Sequence, residues 1–201
     1  VAVELFSLID DLRSEQGSPD LNSPFIQPKA AEMFESCIEL SAVSLTYPGT
    51  TSPALEKISV SIRPRQSVAI VGSTGSGKSS LADVMLGITR PSSGSATISH
   101  MPPERAVAVW PGLIAYVPQD VAVLSGSVRE NVALGVPEED INDDEVWEAL
   151  RRAHLADFLA ENRDGLSTVV GENGVKLSGG QRQRLGIARA LYTRPRMLVM
   201  D

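Results

Sequence analysis

Eight consecutive residues of this 201-residue chain have the composition of a loop that binds phosphate. Three glycines let the backbone turn tightly and direct its N–H groups inward, which creates a concave anion site. A lysine supplies positive charge for the β- and γ-phosphates of a nucleotide, and the serine that follows it can ligate Mg²⁺. In order, the residues are Gly72, Ser73, Thr74, Gly75, Ser76, Gly77, Lys78 and Ser79.

A strand and a helix are predicted on either side of this loop. Residues 67–71 are a short apolar run rich in β-branched side chains, which predicts a buried strand. Residues 79–87 carry Leu81, Val84 and Met85 at helical spacing and end at Gly87, which predicts a helix. The dipole of that helix adds positive potential at the loop. This context disfavours the alternative, a glycine-rich turn with a surface lysine.

A second candidate anion site lies about a hundred residues further along the chain. Ser178 is predicted to cap a helix through Leu185, Ala188 and Leu191, and the two glycines after it leave room for a ligand. One nucleotide at the first loop need not reach both sites. We therefore expect two chains to associate head to tail, each covering its partner's nucleotide. The segment consists of Leu177, Ser178, Gly179, Gly180 and Gln181.

With these motifs, residues 37–201 resemble the nucleotide-binding domain of ABC (ATP-binding cassette) transporters, and most closely the exporter branch. The resemblance implies an α/β P-loop NTPase with a parallel core sheet, an antiparallel β subdomain and an α-helical signature subdomain at about residues 121–190. Residues 1–36 would then be the end of a transmembrane-domain helix and its linker. The alternative for residues 1–13, whose apolar spacing predicts an amphipathic helix, is packing on their own domain.

The resemblance also implies roles for individual residues. Residues 72–79 would be the Walker A loop, with Ser80 completing the nucleotide site, and residues 177–181 would be the signature that contacts the partner's ATP. Lys78 and Gln119 would act in hydrolysis, and Gln119 would also sense the transmembrane part.

Three oxygen donors are implied as Mg²⁺ ligands, namely Ser79, Gln119 and Asp201, the last being the aspartate of the Walker B strand. Tyr47 occupies the position at which the family stacks an aromatic ring on adenine. Without the resemblance, Tyr47 also fits an aromatic residue closing a strand before a Pro-Gly turn, and Gln119 fits a solvated strand end.

The family pattern continues beyond Asp201, the last residue of this sequence. It adds a glutamate that positions or deprotonates the attacking water, a histidine at the γ-phosphate, and the strand between the Walker A and Walker B strands. We therefore expect the sequence to be an incomplete domain, lacking its C-terminal part and inactive as an ATPase on its own.

Composition restricts the function further. The net charge is −7, of which residues 1–40 contribute −6, so the remainder is nearly neutral and lacks the basic face of a nucleic-acid-binding protein. The single Cys37 excludes an internal disulfide, and no apolar run approaches the roughly 18 residues that span a bilayer. His100 and His154 show no ligand spacing and are interpreted as surface or partly packed residues.

Our first hypothesis is therefore the ATP-hydrolysing domain of an ABC exporter, using ATP and Mg²⁺ at the cytoplasmic face of a membrane. Its expected partners are a second ABC ATP-binding domain, in a homo- or heterodimer, and a transmembrane domain fused upstream. The alternative is a soluble, non-transport ABC ATPase acting on ribosomes or DNA. Residues 125–131 disfavour it because Ser-Gly-Ser-Val-Arg-Glu-Asn is similar to an exporter element. A P-loop kinase or GTPase needs no counterpart of residues 177–181.

Overall fold

The computed structural model describes residues 33–171 and 176–201, so the helix predicted over residues 1–13 lies outside the described part. The fold is mixed α/β, as predicted, and none of its described helices is long and apolar enough to cross a membrane. In chain order the elements are β1 (Ile38–Leu45), β2 (Leu55–Ile62), α1 (Lys78–Leu86), β3 (Ser93–Ile98), α2 (Pro103–Val109), β4 (Ile114–Val117), β5 (Gly126–Ser127), α3 (Val128–Val132), α4 (Asp143–Arg152), α5 (Ala156–Ala160), β6 (Val169–Val170), α6 (Gly179–Tyr192) and β7 (Met197–Met200).

The first three strands form an antiparallel sheet in the order β2–β1–β3. Pairing along β1 shifts register between Leu40 and Val43, where the strand has a bulge or similar irregularity. Gly94 of β3 lies against this irregularity, and a Cβ there would come within 2.4 Å of the carbonyl oxygen of Ala42. The buried face of the sheet packs on α1 and α2, where Phe34 meets Trp110 edge to face. This packing forms the first of two hydrophobic cores.

A parallel pair, β4 and β7, brings together two parts of the chain that lie far apart in sequence. Ile114 pairs with Met197, and the register continues without interruption to Val117 and Met200. Because the strands are parallel, the residues that follow each of them emerge at the same edge. That edge is where metal and ligand chemistry is concentrated in open α/β sheets.

The prediction of a strand over residues 67–71 is wrong, because these residues pair with no strand in the described structure. Val71 is 87% exposed, and Val68 and Ile70 are also exposed. A cleft of about 720 Å³ separates this segment from Leu198 and Met200 of β7. A run of β-branched residues becomes a strand only when a neighbour satisfies its backbone N–H and C=O groups, and here the cleft lies in the neighbour's place.

The second core is helical and lies between β4 and β7 in sequence. It is formed chiefly by α3, α4 and α6, whose side chains Val128, Val146, Leu150 and Leu185 are fully buried. Gly186 allows α6 to approach the chain just after β4, since a Cβ there would lie 2.5 Å from a methyl carbon of Val121. The helix that begins at the second candidate anion site is therefore packed tightly on both sides.

Several polar side chains of residues 125–131, the segment that is similar to an exporter element, form hydrogen bonds with the backbone. Ser127 and Glu130 form a reciprocal cap at the start of α3, and these bonds lower the pKa of Glu130. Asn131 is buried, with its Oδ1 accepting from the N–H of Leu124 at 3.0 Å and its Nδ2 donating to two carbonyls. The guanidinium of Arg189, on α6, donates to the carbonyl of Asn131 at 2.8 Å. Asn131 therefore fixes the chain after β4 onto the helical core.

Replacing Asn131 by alanine should lower the free energy of unfolding by at least about 2 kcal/mol, because three partly buried hydrogen bonds between its side chain and the backbone are lost. Urea denaturation measures this loss. The matched control is Asn162→Ala, which removes a single bond, to the carbonyl of Phe158, and should cost about 1 kcal/mol. Equal losses in the two variants would contradict the importance given to the Asn131 network.

Candidate functional site

The loop at residues 72–77 is shaped by glycines whose backbone conformation or close contacts disfavour a side chain. Gly75 and Gly77 have φ of 81° and 87°, in the left-handed region that favours glycine. A Cβ on Gly77 would lie 2.4 Å from the carbonyl oxygen of Ala54, and a Cβ on Gly72 would lie 2.4 Å from the Oγ of Ser76. The loop is therefore held against the turn that precedes β2.

Lys78 lies at the end of this loop with its ammonium group folded back over it. Its Nζ donates to the carbonyl oxygens of Gly72 at 3.1 Å and Ser73 at 2.9 Å. The helix α1 begins here without a side-chain cap, so no side chain in the described part of the chain satisfies the N–H groups of its first turn. Uncapped N–H groups and a lysine beside them are the donors that a phosphate group requires. The residues present thus fit a nucleotide's phosphates.

Tyr47 reaches the same place from the loop between β1 and β2. Its phenol O–H donates to the Oγ of Ser80, in the first turn of α1, at 3.1 Å. The residue remains 37% exposed, which leaves ring surface open beside the phosphate loop. The structure thus brings an aromatic surface to the predicted nucleotide site, where a base can stack on it.

Two candidate Mg²⁺ ligands follow the paired ends of β4 and β7. Gln119 is an exposed residue just beyond β4, and Asp201 directly follows β7, where its N–H donates to the carbonyl of Val117 at 3.0 Å. Asp201 and Lys78 line the same cleft. Amide, carboxylate and hydroxyl oxygens, the last from Ser79 at the start of α1, form a donor set suited to Mg²⁺.

Asp83 is a nearby acidic residue that the sequence reasoning overlooked. Burial, and then the negative charge of Asp201, raise the pKa of this α1 carboxyl. The pKa of Tyr116, on β4, is raised by burial and by the same two carboxylates. Because its folded pKa is raised, Asp83 stabilises the fold most at pH values below its ordinary pKa, and this contribution is lost as the pH rises through the folded value. The sequence does contain a signal for Asp83, because a charged residue stands there between two apolar residues of a predicted helix.

The second candidate anion site is the start of α6. Ser178 is the N-cap, as predicted, with its Oγ accepting from the N–H of Gln181 at 3.2 Å. The side-chain oxygen of Gln181 accepts from the N–H of Ser178 at 2.8 Å, which completes a reciprocal cap. Leu177 is buried in the helical core. The first turn of α6 is thereby fixed in position.

The glycines of this turn are not required by anything in the described part of the chain. Neither Gly179 nor Gly180 has a positive φ. A Cβ on Gly179 would come no closer than 3.9 Å to any neighbour, the guanidinium of Arg182, and a Cβ on Gly180 would meet nothing within 4 Å. Among the described residues, no hydrogen bond joins this turn to the loop at residues 72–77.

Comparison with known proteins places this arrangement in a family. The family model described as "ABC transporter" matches residues 55–201. Over its whole length the chain is 40% identical to the ATP-dependent lipid A-core flippase of Chromobacterium violaceum, of which it covers 32%. It is 44% identical, over 82% of its length, to the probable multidrug resistance ABC transporter ATP-binding/permease protein YheI of Bacillus subtilis, of which it covers 28%.

The chain therefore belongs to the ABC transporter family, and its fold is that of a P-loop NTPase. A second lipid A-core flippase, from Dechloromonas aromatica, is 36% identical over the whole chain. The chain spans about a third of the length of these curated relatives.

Two glycine substitutions should separate backbone strain from steric conflict in the phosphate loop. Gly75→Ala should cost about 1–2 kcal/mol of unfolding free energy, since alanine must adopt a positive φ in open space. Gly77→Ala carries the same strain and adds the clash with Ala54, so it should cost about 1–3 kcal/mol more. Thermal or urea unfolding of the two variants provides the measurement. A Gly77 variant as stable as the Gly75 variant would show that the loop is not held against Ala54.

Proposed function

We propose that this chain is the ATP-binding and ATP-hydrolysing domain of an ABC exporter, driving transport across a membrane through ATP-dependent dimerisation. The observation that carries the proposal is the uncapped start of α1, with Lys78 over the loop and in the same cleft as Asp201. Relatives named as an ATP-dependent flippase and an ATP-binding/permease protein support the same function.

ATP would bind with its phosphates on residues 72–80 and its adenine on Tyr47. The Lys78 ammonium would exchange its bonds to the carbonyls of Gly72 and Ser73 for bonds to phosphate oxygens, which are stronger because both partners are charged. The N–H groups at the start of α1 would donate to the same phosphates. The O–H···Oγ bond between Tyr47 and Ser80 would keep the ring beside the loop.

Mg²⁺ would be held by Ser79, Gln119 and Asp201, and would offset the negative charge on the β- and γ-phosphates when bound. The hydrogen bond from the Asp201 N–H to the carbonyl of Val117 fixes the backbone at Asp201, which supports this role. Burial, and then the charge of Asp201, raise the pKa of Asp83, and a cation at this edge of the sheet would offset the charges of both carboxylates. Gln119 would act at the nucleotide from its position just beyond β4, together with Lys78.

The start of α6 would contact the nucleotide of a partner chain. Glycine is a poor helix residue, yet two stand in the first turn of α6 where nothing in the described chain excludes a side chain. The absence of side chains at these two positions would leave room for a ligand that is bound to the partner chain. The partner would be a second ABC ATP-binding domain, identical or related. Both candidate motifs are present in this chain, which favours two competent sites.

The membrane part would be a transmembrane domain joined upstream, with this domain at the cytoplasmic face. The relatives that combine ATP-binding and permease functions in one polypeptide support this arrangement. The 32–33% of the flippases' length covered by this chain leaves ample room in them for a membrane domain.

Lys78→Ala should weaken Mg-ATP binding by about 10- to 150-fold, because the phosphates lose their charged side chain while the backbone donors remain. Titration with a fluorescent ATP analogue measures the dissociation constant. The matched control is Lys57→Ala, which removes the same charge from an exposed position on β2 and should leave binding within about twofold. Unchanged affinity in the Lys78 variant would refute the assignment of this lysine to the phosphates.

Ser178→Arg and Gly179→Asp should separate nucleotide binding from association. Each should leave ATP affinity of the single chain nearly intact and abolish ATP-dependent dimerisation, since a bulky or negative group would block or repel the partner's γ-phosphate. Sedimentation velocity with and without Mg-ATP measures the association.

The control for this pair is Ser61→Arg, which adds the same bulk and charge at an exposed position on β2 and should dimerise normally. A Ser178 or Gly179 variant that remained folded but lost ATP binding as a single chain would mean that α6 serves its own chain's nucleotide.

A further inference from the structure

Three side chains with different donor atoms meet where the chain enters β1. The Nε2 of His100 lies 3.1 Å from a carboxylate oxygen of Glu35 and 3.9 Å from the Sγ of Cys37. The three donor atoms all lie within 4.8 Å of one another. His100 is an exposed residue, as the sequence led us to expect, and its sequence context shows no ligand spacing. Its neighbours are 63 and 65 residues away along the chain, and only the fold brings them together.

The backbone beneath this cluster is firmly held. Ser99 and His100 form a two-residue turn with φ of 50° and 63°, closed by mutual hydrogen bonds between Ile98 and Met101. The N–H of Ser99 donates to the carbonyl of Cys37 at 3.0 Å, and the N–H of Glu35 donates to the buried Ser99 Oγ at 2.9 Å. The backbones of all three ligand-bearing positions are thereby tied to one another. Such support keeps donor atoms together without a ligand.

The spacing of the donor atoms suits one particular ion. Zinc binds sulfur at about 2.3 Å and nitrogen or oxygen at about 2.0–2.2 Å in a tetrahedral arrangement. Those lengths place sulfur and nitrogen about 3.6 Å apart, and nitrogen and oxygen about 3.4 Å apart. The corresponding distances here are 3.9 Å and 3.1 Å, each within about 0.3 Å of those values. The Cys37 sulfur and the Glu35 carboxylate oxygen lie within 4.8 Å of each other, so a modest movement of the side chains would complete three corners of the tetrahedron.

We propose that Glu35, Cys37 and His100 form a binding site for a Zn²⁺ ion, with the fourth position open to water. A thiolate, an imidazole and a carboxylate are each ligands that zinc accepts. The ion would cross-link the chain entering β1 to the turn that ends β3. The inference stands independently of the proposed ATPase, because none of the three residues lies in the phosphate loop or at the start of α6.

The competing explanation is an ordinary surface ion pair between His100 and Glu35. Both side chains are about 64% exposed, and such a pair contributes only about 0–1 kcal/mol. An ion pair would not use the sulfur of Cys37 and would have no affinity for a transition metal. Metal binding that depends on the thiol therefore distinguishes the two explanations.

Co²⁺ is the probe, because a thiolate bound to cobalt absorbs in the near ultraviolet and a tetrahedral cobalt site absorbs in the visible. The full chain, reduced and free of any histidine tag, should bind one Co²⁺ with both absorptions, and added Zn²⁺ should displace it. Cys37→Ser should abolish the near-ultraviolet band. His100→Asn and Glu35→Gln should each weaken Co²⁺ binding at least tenfold, the lower bound for losses seen even among residues that only support a ligand.

The His100 variant has a close control elsewhere in the chain. Asparagine tolerates a positive φ, so His100→Asn preserves the turn, and His154→Asn changes the same residue type at an exposed position with a φ of 55°. His154→Asn should bind Co²⁺ as the unaltered chain does. The proposal is overturned if no sulfur-to-cobalt band appears, if the two histidine variants bind equally, or if Glu35→Gln binds with full affinity. Circular dichroism checks that each variant is folded.

Discussion

The structure depends on a helix start that its own side chains leave unsatisfied. The first turn of α1 has no side-chain cap, and Gly77 presses its backbone against Ala54, so the N–H groups cannot turn away from the loop. Tyr47, Lys78 and the edge of β7 with Asp201 are all arranged around that point. Uncapped donors at a helix start are costly unless water or a ligand meets them. The residues around the helix start supply the positive charge and the hydrogen-bond donors that a phosphate-bearing ligand requires.

The two hydrophobic cores are joined by the chain that leaves β4. Strand β4 ends beside β7 at the sheet edge and leads through Gln119 into residues 121–124. There Val121 packs against Gly186, and Leu124 is bound on both of its backbone groups by Asn131. The predicted nucleotide-contacting glutamine is thus only a few residues from the interior of the helical core. Its own position is exposed, while the chain just beyond it is tightly fixed.

Local signals in the sequence predicted local structure well. The apolar spacing before Gly87 and the serine before two glycines correctly predicted α1 and the cap of α6. The failures involve long-range contacts. Residues 67–71 have strand composition, but a strand also needs a paired neighbour. The interaction of Asp83 with Asp201, and of His100 with Cys37 and Glu35, joins residues at least 63 positions apart, which no motif spacing could reveal.

The glycines of this chain fall into classes that differ in what they imply. Gly77 and Gly94 have positive φ and leave no room for a Cβ, and Gly186 lets two elements approach. Each is explained within the chain. Gly179 and Gly180 have neither feature, although glycine in a helix costs up to about 1 kcal/mol relative to alanine. Under the proposed function, a partner chain's nucleotide would occupy the space that the two glycines leave. The start of α6 would then be half of an interface.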